Sequence, residues 1–173
     1  RLTSELQPGD PTEAAEKTYS PMSSEKATDT ILSQIKEAKD AGATIHVGGA
    51  REDLPGYYVQ PTVISGIPHK SEIYYEEFFG PVVNLFRVSS DEEALNLASD
   101  TQYGLGSAVF ASDPDRARKF AEQLEAGMVG SNISPEESAE VPFGGVKRSG
   151  YGRELGPVGM DEFVNKRLMT IKK

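Results

Sequence analysis

The 173-residue chain is long enough for one domain with a proper core and rather short for two. Its net charge of −9 argues against a nucleic-acid partner, which needs a basic surface to meet phosphates. No apolar run approaches the ~20 residues that cross a bilayer, so we expect no membrane partner. For a chain without cysteine, cytoplasm is the default location. Without cysteine, and with His46 and His69 far apart, the sequence predicts neither a disulfide nor a metal site.

The first predicted helix begins near residue 24 and carries an apolar stripe. Its stripe residues recur at intervals of three or four and would share one face: Ala27, Ile31, Ile35 and Ala38. Either Ser23 or Ser24 can cap its start, and Gly42 stands where a helix-ending glycine is expected. A strand over Thr44–Val47 follows.

Strands and helices alternate in the prediction for residues 57–132. Tyr57–Ile64 is extended, although Pro61 restricts part of it to an edge or a bend. The next predicted strands are Val82–Val88, Ser107–Ala111 and Met128–Asn132. Ser90–Glu93 has capping-box spacing and opens one helix, while Asp113 followed by proline opens another, which Gly127 ends. The apolar residues expected on that second helix are Ala117, Phe120, Ala121 and Leu124. Over residues 82–132 these short connections indicate crossovers and a mostly parallel sheet flanked by helices, an α/β fold.

The C-terminal part begins with a long loop, residues 133–156, which is rich in Pro, Gly and Ser and is therefore expected to be functional or disordered. A short helix over Pro157–Phe163 and a strand over Arg167–Lys172 complete the chain. The run Gly150–Gly156 imitates a dinucleotide fingerprint, but its third glycine is one position late and no strand precedes it. The basic residues of the loop are expected to be solvated or salt-bridged: Lys147, Arg148 and Arg153.

The turn Glu76–Pro81 combines acidic and aromatic residues with Gly and Pro just before a predicted strand. Its Gly-Pro pair fixes a sharp bend, so Glu77 and Phe79 would stand at the edge of the sheet. A carboxylate can accept two hydrogen bonds from a ribose diol, and an aromatic ring can pack against a nicotinamide. The residues alone leave two interpretations open, a ligand-binding element or an acidic capped turn with a core phenylalanine.

With several other segments, this turn resembles the Glu-Glu-x-Phe-Gly-Pro-Val pattern of the NAD(P)-dependent aldehyde dehydrogenases. Further segments that are similar to the family's, and in its order, are Gly9–Pro11, Gly42–Gly49, Gly56–Val63, Asp100–Leu105 and Pro142–Glu154. Gly127–Asn132 and Pro142–Glu154 are most similar to the succinate-semialdehyde dehydrogenase branch. The resemblance covers nearly the whole chain and implies that residues 1–173 are a C-terminal part of the catalytic domain.

The resemblance also implies roles for individual residues. Glu77 would hold the nicotinamide ribose hydroxyls of NAD or NADP, and Phe79 would pack beside the nicotinamide. Phe143 would line the aldehyde tunnel. Glu154 matches a glutamate proposed to take part in a proton relay near the thiol, and Arg153 matches an arginine that supports the active-site loop.

In this family a cysteine thiolate attacks the aldehyde, hydride passes to the cofactor, and glutamate-activated water releases the acid. The nucleophile, the base and the dinucleotide-binding domain have no motif here, so we expect them upstream of Arg1 and expect the isolated chain to be inactive. The family's terminal strand, here within residues 166–173, extends a sheet across the subunit interface and implies a homo-oligomeric dimer or tetramer. A free-standing, non-catalytic binding or oligomerisation module derived from this fold is the alternative.

Overall fold

The computed structural model describes residues 3–13, 15–135 and 137–172. The chain divides into two compact units, residues 1–87 and 88–173. Both units combine helices with strands, as expected for an α/β protein. Among the residues described, no helix is both long and apolar enough to cross a membrane.

The first unit contains one long helix and several short strands. Its elements in chain order are β1 (Gln7–Pro8), β2 (Thr18–Tyr19), α1 (Glu25–Asp40), β3 (Thr44–Val47), β4 (Thr62–Ser65) and β5 (Val82–Leu85). Helix α1 is capped by Ser24 rather than Ser23, because the Ser24 Oγ accepts a hydrogen bond from the N–H of Ala27 at 3.2 Å. Gly42 follows the helix with a φ of +107°, as expected for a helix-ending glycine. The buried face of α1 consists of Thr28, Ile31, Ile35 and Ala38.

A three-stranded sheet of order β3-β4-β5 shares its core with α1. Strand β4 runs antiparallel to β3 and parallel to β5. It starts at Thr62, directly after Pro61, so the proline does interrupt the predicted extended stretch. Isoleucines from the helix, from β4 and from the segment after it are at most 5% exposed and form most of the core: Ile31, Ile35, Ile64, Ile67 and Ile73.

The second unit contains α2 (Asp91–Ser99), β6 (Tyr103–Gly104), β7 (Gly106–Val109), α3 (Pro114–Ala121), β8 (Met128–Ser131), β9 (Val146–Lys147) and α4 (Gly156–Asp161). Strands β7 and β8 pair in parallel with α3 between them, which confirms this crossover. Asp113 caps α3, since its Oδ1 accepts a hydrogen bond from the N–H of Asp115 at 3.0 Å. Strand β9 pairs antiparallel with β6 and so attaches the long C-terminal loop to the body of this unit.

Two expectations for residues 82–132 are wrong. Strand β5 pairs with β4, whereas β7 pairs with β8 in another sheet, so the predicted single parallel sheet does not form. A strand–helix–strand pattern indicates that a crossover is possible, but it does not decide which strands become neighbours. Helix α3 ends at Ala121, well before Gly127, because the N–H groups of Gln123 and Leu124 bond three residues back, to Phe120 and Ala121.

The strand expected within residues 166–173 is also missing from the single chain. Residues 165–172 form no strand, and Lys173 lies outside the described residues. Because strand backbone groups need a neighbouring strand, a segment without one in its own chain does not form a ladder. Leu168 and Ile171 are 93% and 72% exposed. A role for this segment in subunit association therefore stays a prediction.

Candidate functional site

The turn Glu76–Pro81 lies directly before β5, at the place the sequence predicts. The Gly80 N–H donates to the Phe78 carbonyl at 2.8 Å, and the Val82 N–H donates to the Gly80 carbonyl at 2.7 Å. Two successive tight bends therefore deliver the chain into β5 and define the backbone that carries Glu77 and Phe79.

The two phenylalanines of this turn have different surroundings. Phe78 is half-buried and packs against the core of the first unit. Phe79 is 81% exposed. The core phenylalanine of one interpretation is thus Phe78, while the ring of Phe79 and the exposed carboxylate of Glu77 are accessible to a ligand.

Glu77 and Phe79 face a cavity of about 260 Å³ beside the start of α1. The residues that line it are Ser24, Lys26, Ala27, Thr30, Ile31, Gln34, Glu77 and Phe79. The cavity thus combines a carboxylate, an aromatic ring and aliphatic side chains. This combination suits a ligand that carries both hydroxyl groups and a flat ring.

Gln34 contacts this turn directly, and the sequence interpretation did not include it. Its Nε2 donates to the Glu76 Oε2 at 2.8 Å and to the Glu77 carbonyl at 3.2 Å. The one available signal was its place on α1, next to Ile35 and three residues after Ile31 on the edge of the buried stripe.

The second pair of predicted residues, Phe143 and Glu154, comes together across the long loop. The N–H of each donates to the carbonyl of the other at 2.7 Å, which makes an isolated antiparallel bridge. Arg153 reinforces this arrangement, because its Nη1 donates to the Gly145 carbonyl at 2.8 Å and to the Gly152 carbonyl at 2.6 Å. The loop over residues 142–154 is therefore a closed, hydrogen-bonded structure.

Lys147 connects this loop to the rest of the second unit. Its Nζ donates to the Ser99 carbonyl at 2.8 Å, at the end of α2, and to the Thr101 carbonyl at 3.2 Å. The same ammonium lies 2.6 Å from the Glu125 carboxylate. Arg148 contacts the side chain of Gln102. Lys147 thus forms the expected salt bridge, whereas Arg148 and Arg153 hydrogen-bond to uncharged groups of the chain.

The histidines are not organised for metal binding. His46 contacts the Ser65 hydroxyl at 2.7 Å, and the ring of His69 packs edge-on against Tyr74. Across the described part of the chain, no three His, Cys, Asp or Glu residues are grouped as metal ligands would be.

The structure thus brings Glu77 and Phe79 to one cavity in residues 1–87, and Phe143 and Glu154 to one bridge in residues 88–173. The same turn and loop carry the family resemblance. The family model for the aldehyde dehydrogenase family matches residues 1–169. The chain therefore belongs to the aldehyde dehydrogenase family.

Similar proteins include two that are named as succinate-semialdehyde dehydrogenases. The chain is 48% identical over 162 residues to the NADP(+) succinate-semialdehyde dehydrogenase of Deinococcus radiodurans, a match that covers 94% of this chain and 34% of that protein. A solved succinic semialdehyde dehydrogenase from Streptococcus pyogenes, in complex with NADP+, matches with a TM-score of 0.91 and 42% identity, covering 99% of this chain and 37% of that one.

A third relative carries a different name. Betaine aldehyde dehydrogenase from Staphylococcus aureus, solved in complex with NAD+, matches with a TM-score of 0.86 and 37% identity, covering 93% of this chain and 33% of that one. The chain spans about a third of the length of all three relatives.

Proposed function

We propose that this chain is a C-terminal part of the catalytic domain of an NAD(P)-dependent aldehyde dehydrogenase, which oxidises an aldehyde to a carboxylic acid. The observation that carries the proposal is the turn before β5, where Glu77 and Phe79 present an exposed carboxylate and an 81% exposed ring to one cavity. Family membership over residues 1–169 supports the same reaction class.

The turn fits a nicotinamide cofactor by its chemistry. The Glu77 carboxylate can accept hydrogen bonds from two ribose hydroxyls, and the Phe79 ring can pack beside the nicotinamide. When bound, NAD or NADP supplies the hydride acceptor. Within this chain, Glu77 holds and orients the ribose while Phe79 restricts the position of the ring.

The loop over residues 142–154 serves the aldehyde side of the site. Phe143 lines the aldehyde tunnel, and Glu154 takes part in moving a proton near the thiol. Their paired backbones keep the two residues at a constant separation. The sequence contains no cysteine, and the family reaction needs a thiolate nucleophile. We therefore expect no aldehyde oxidation by the 173-residue chain alone, since the nucleophile belongs to a part of the enzyme outside it.

Succinate semialdehyde is the substrate that the relatives favour. The Deinococcus radiodurans relative that bears this name is 48% identical over 162 residues, against 44% over 152 residues for the betaine aldehyde dehydrogenase of Beta vulgaris. Because the two identities lie close together, both aldehydes belong in the assay, with succinate semialdehyde as the proposed substrate and NADP+ as the first cofactor to test.

The source gene provides the test. Its complete product should reduce NADP+ or NAD+ with succinate semialdehyde and should prefer that substrate to betaine aldehyde and to simple aliphatic aldehydes, as measured by kcat/KM from absorbance at the nicotinamide band. The 173-residue chain, assayed in parallel, should be inactive. A preference for simple aldehydes would overturn the substrate, and an absence of NAD(P)-dependent oxidation would overturn the function.

A second candidate function, a non-catalytic oligomerisation module, is favoured by the C-terminal segment. Leu168, Met169 and Ile171 are 93%, 64% and 72% exposed on a segment without a strand partner, and exposed apolar residues grouped in this way are typical of association surfaces. Sedimentation of the chain with and without residues 166–173 tests this candidate. The module is favoured if the chain self-associates through this segment and if the complete gene product oxidises no aldehyde.

A further inference from the structure

The carboxylate proposed to hold the cofactor ribose belongs to a turn that is fixed at two places. In its second half, Phe78 packs against the core, and Gly80 approaches Ile31 so closely that an added Cβ would lie 2.9 Å from the Ile31 Cγ1. In its first half, the contact with α1 is polar and comes from Gln34. The half of the turn that carries Glu77 is therefore held by hydrogen bonds, whereas the half that carries Phe79 is held by packing.

Gln34 makes two hydrogen bonds with one nitrogen. Nε2 lies 2.8 Å from the Glu76 Oε2 and 3.2 Å from the Glu77 carbonyl oxygen. An amide NH₂ has two N–H groups and can serve both acceptors at once. The Glu77 side chain is not involved in either bond, so its carboxylate stays available while its backbone is held.

The orientation of the amide follows from its partners. Both groups facing Nε2 are oxygen acceptors, which require a donor. The Oε1 on the other side is buried and has no hydrogen-bond partner among the described residues. Leaving an acceptor unpaired is costly, so the amide keeps this orientation because of what Nε2 contacts.

We propose that Gln34 is a positioning residue for the cofactor site: it holds the backbone of Glu77 so that the carboxylate faces the cavity lined by Gln34, Glu77 and Phe79. This inference rests on the proposed function, because it assigns Gln34 an effect on a cofactor that Glu77 would bind. Its structural half, the ordering of residue 77 by residue 34, can be tested on the 173-residue chain without any cofactor.

Replacement of Gln34 by methionine keeps the length and flexibility of the side chain and removes the donor. In the 173-residue chain, Gln34→Met should lower the heteronuclear NOE and raise the amide exchange rate of Glu77. The matched control is Glu37→Met, an equal-sized change on the exposed side of the same helix, which should leave residue 77 unchanged. Gln34→Lys restores a donor to the same two oxygens and should recover much of the order.

The kinetic test uses the complete enzyme that contains this chain. Gln34→Met should raise the KM for NAD(P)+ by about 2- to 10-fold, the range that corresponds to one or two modest hydrogen bonds. The KM for the aldehyde should not change. In a Glu77→Ala background, Gln34→Met should have no further effect on the cofactor KM, because a residue that acts through Glu77 has nothing left to position.

Two outcomes would overturn the inference, and a third would separate it from the proposed function. An unchanged Glu77 amide in both Gln34→Met and Gln34→Lys would show that the turn does not depend on the amide. Additive effects of Gln34→Met and Glu77→Ala on the cofactor KM would show a general structural role instead. If the complete enzyme oxidises no aldehyde while Gln34→Met still loosens Glu77, the proposed function fails and the positioning of Glu77 stands as a structural fact without a catalytic role.

Discussion

Replacement of Gly127 by alanine should displace the loop that carries Phe143. A Cβ added at Gly127 would lie 2.0 Å from the Gly144 carbonyl oxygen and 2.8 Å from the Gly145 Cα. Ordinary contacts to a Cβ begin at 3.4 Å, so the two backbones must separate by about 1.4 Å. Movement of residue 127 would break the hydrogen bond that its N–H donates to the Gly104 carbonyl at 3.0 Å. We therefore expect the loop to move instead.

The expected cost of this overpacking is about 1–3 kcal/mol of stability in the second unit. It should appear as a lower urea midpoint and as faster amide exchange at Phe143 and Glu154, whose N–H groups form the bridge. Gly106→Ala is the matched control, since the atoms nearest to its Cβ lie at 3.9 Å and the substitution restricts the unfolded chain. Equal midpoints and equal exchange in the two variants would refute the reasoning.

Three further outcomes are expected in the 173-residue chain. Ser24→Ala should cost about 1 kcal/mol in urea unfolding, whereas Ser23→Ala should be nearly neutral, because only Ser24 caps α1. Ile64→Ala should cost about 2–5 kcal/mol by the same assay, as Ile64 is fully buried. The hydrogen bonds from Ser89 lower the pKa of Glu93. The ionised Glu93 carboxylate therefore stabilises the fold fully at pH values above the ordinary glutamate pKa, and this stabilisation is lost as the pH falls through the lowered pKa. A carboxyl NMR titration should give Glu93 a higher pKa in Ser89→Ala.

Elements whose signals are local were predicted well. Helix α1 follows its cap and its apolar stripe, and Thr44–Val47 forms a strand with the predicted bounds. The start of α3 follows from Asp113 and the proline after it. Caps, prolines and helix-ending glycines act on residues only a few positions away, so a single sequence is enough to find them.

Strand partners were predicted poorly, for the opposite reason. The choice of β4 rather than β7 as the neighbour of β5 depends on contacts between distant residues, such as Thr62 with Val82. No local pattern encodes that choice. Gln34 was missed for the same reason, since it makes its informative contacts with residues more than 40 positions away.

In the candidate cofactor turn, the structure shows which of the two phenylalanines belongs to the core. A core role needs one phenylalanine, and Phe78 fulfils it by packing against α1 and its sheet. The ring of Phe79 does not contribute to this core, because it is 81% exposed beside an exposed Glu77. Exposing so much apolar surface next to a cavity is unfavourable unless a ligand or another part of the protein covers it. The same short turn therefore contains a residue that packs in the core and, one position later, an exposed ring that a ligand or another part of the protein would cover.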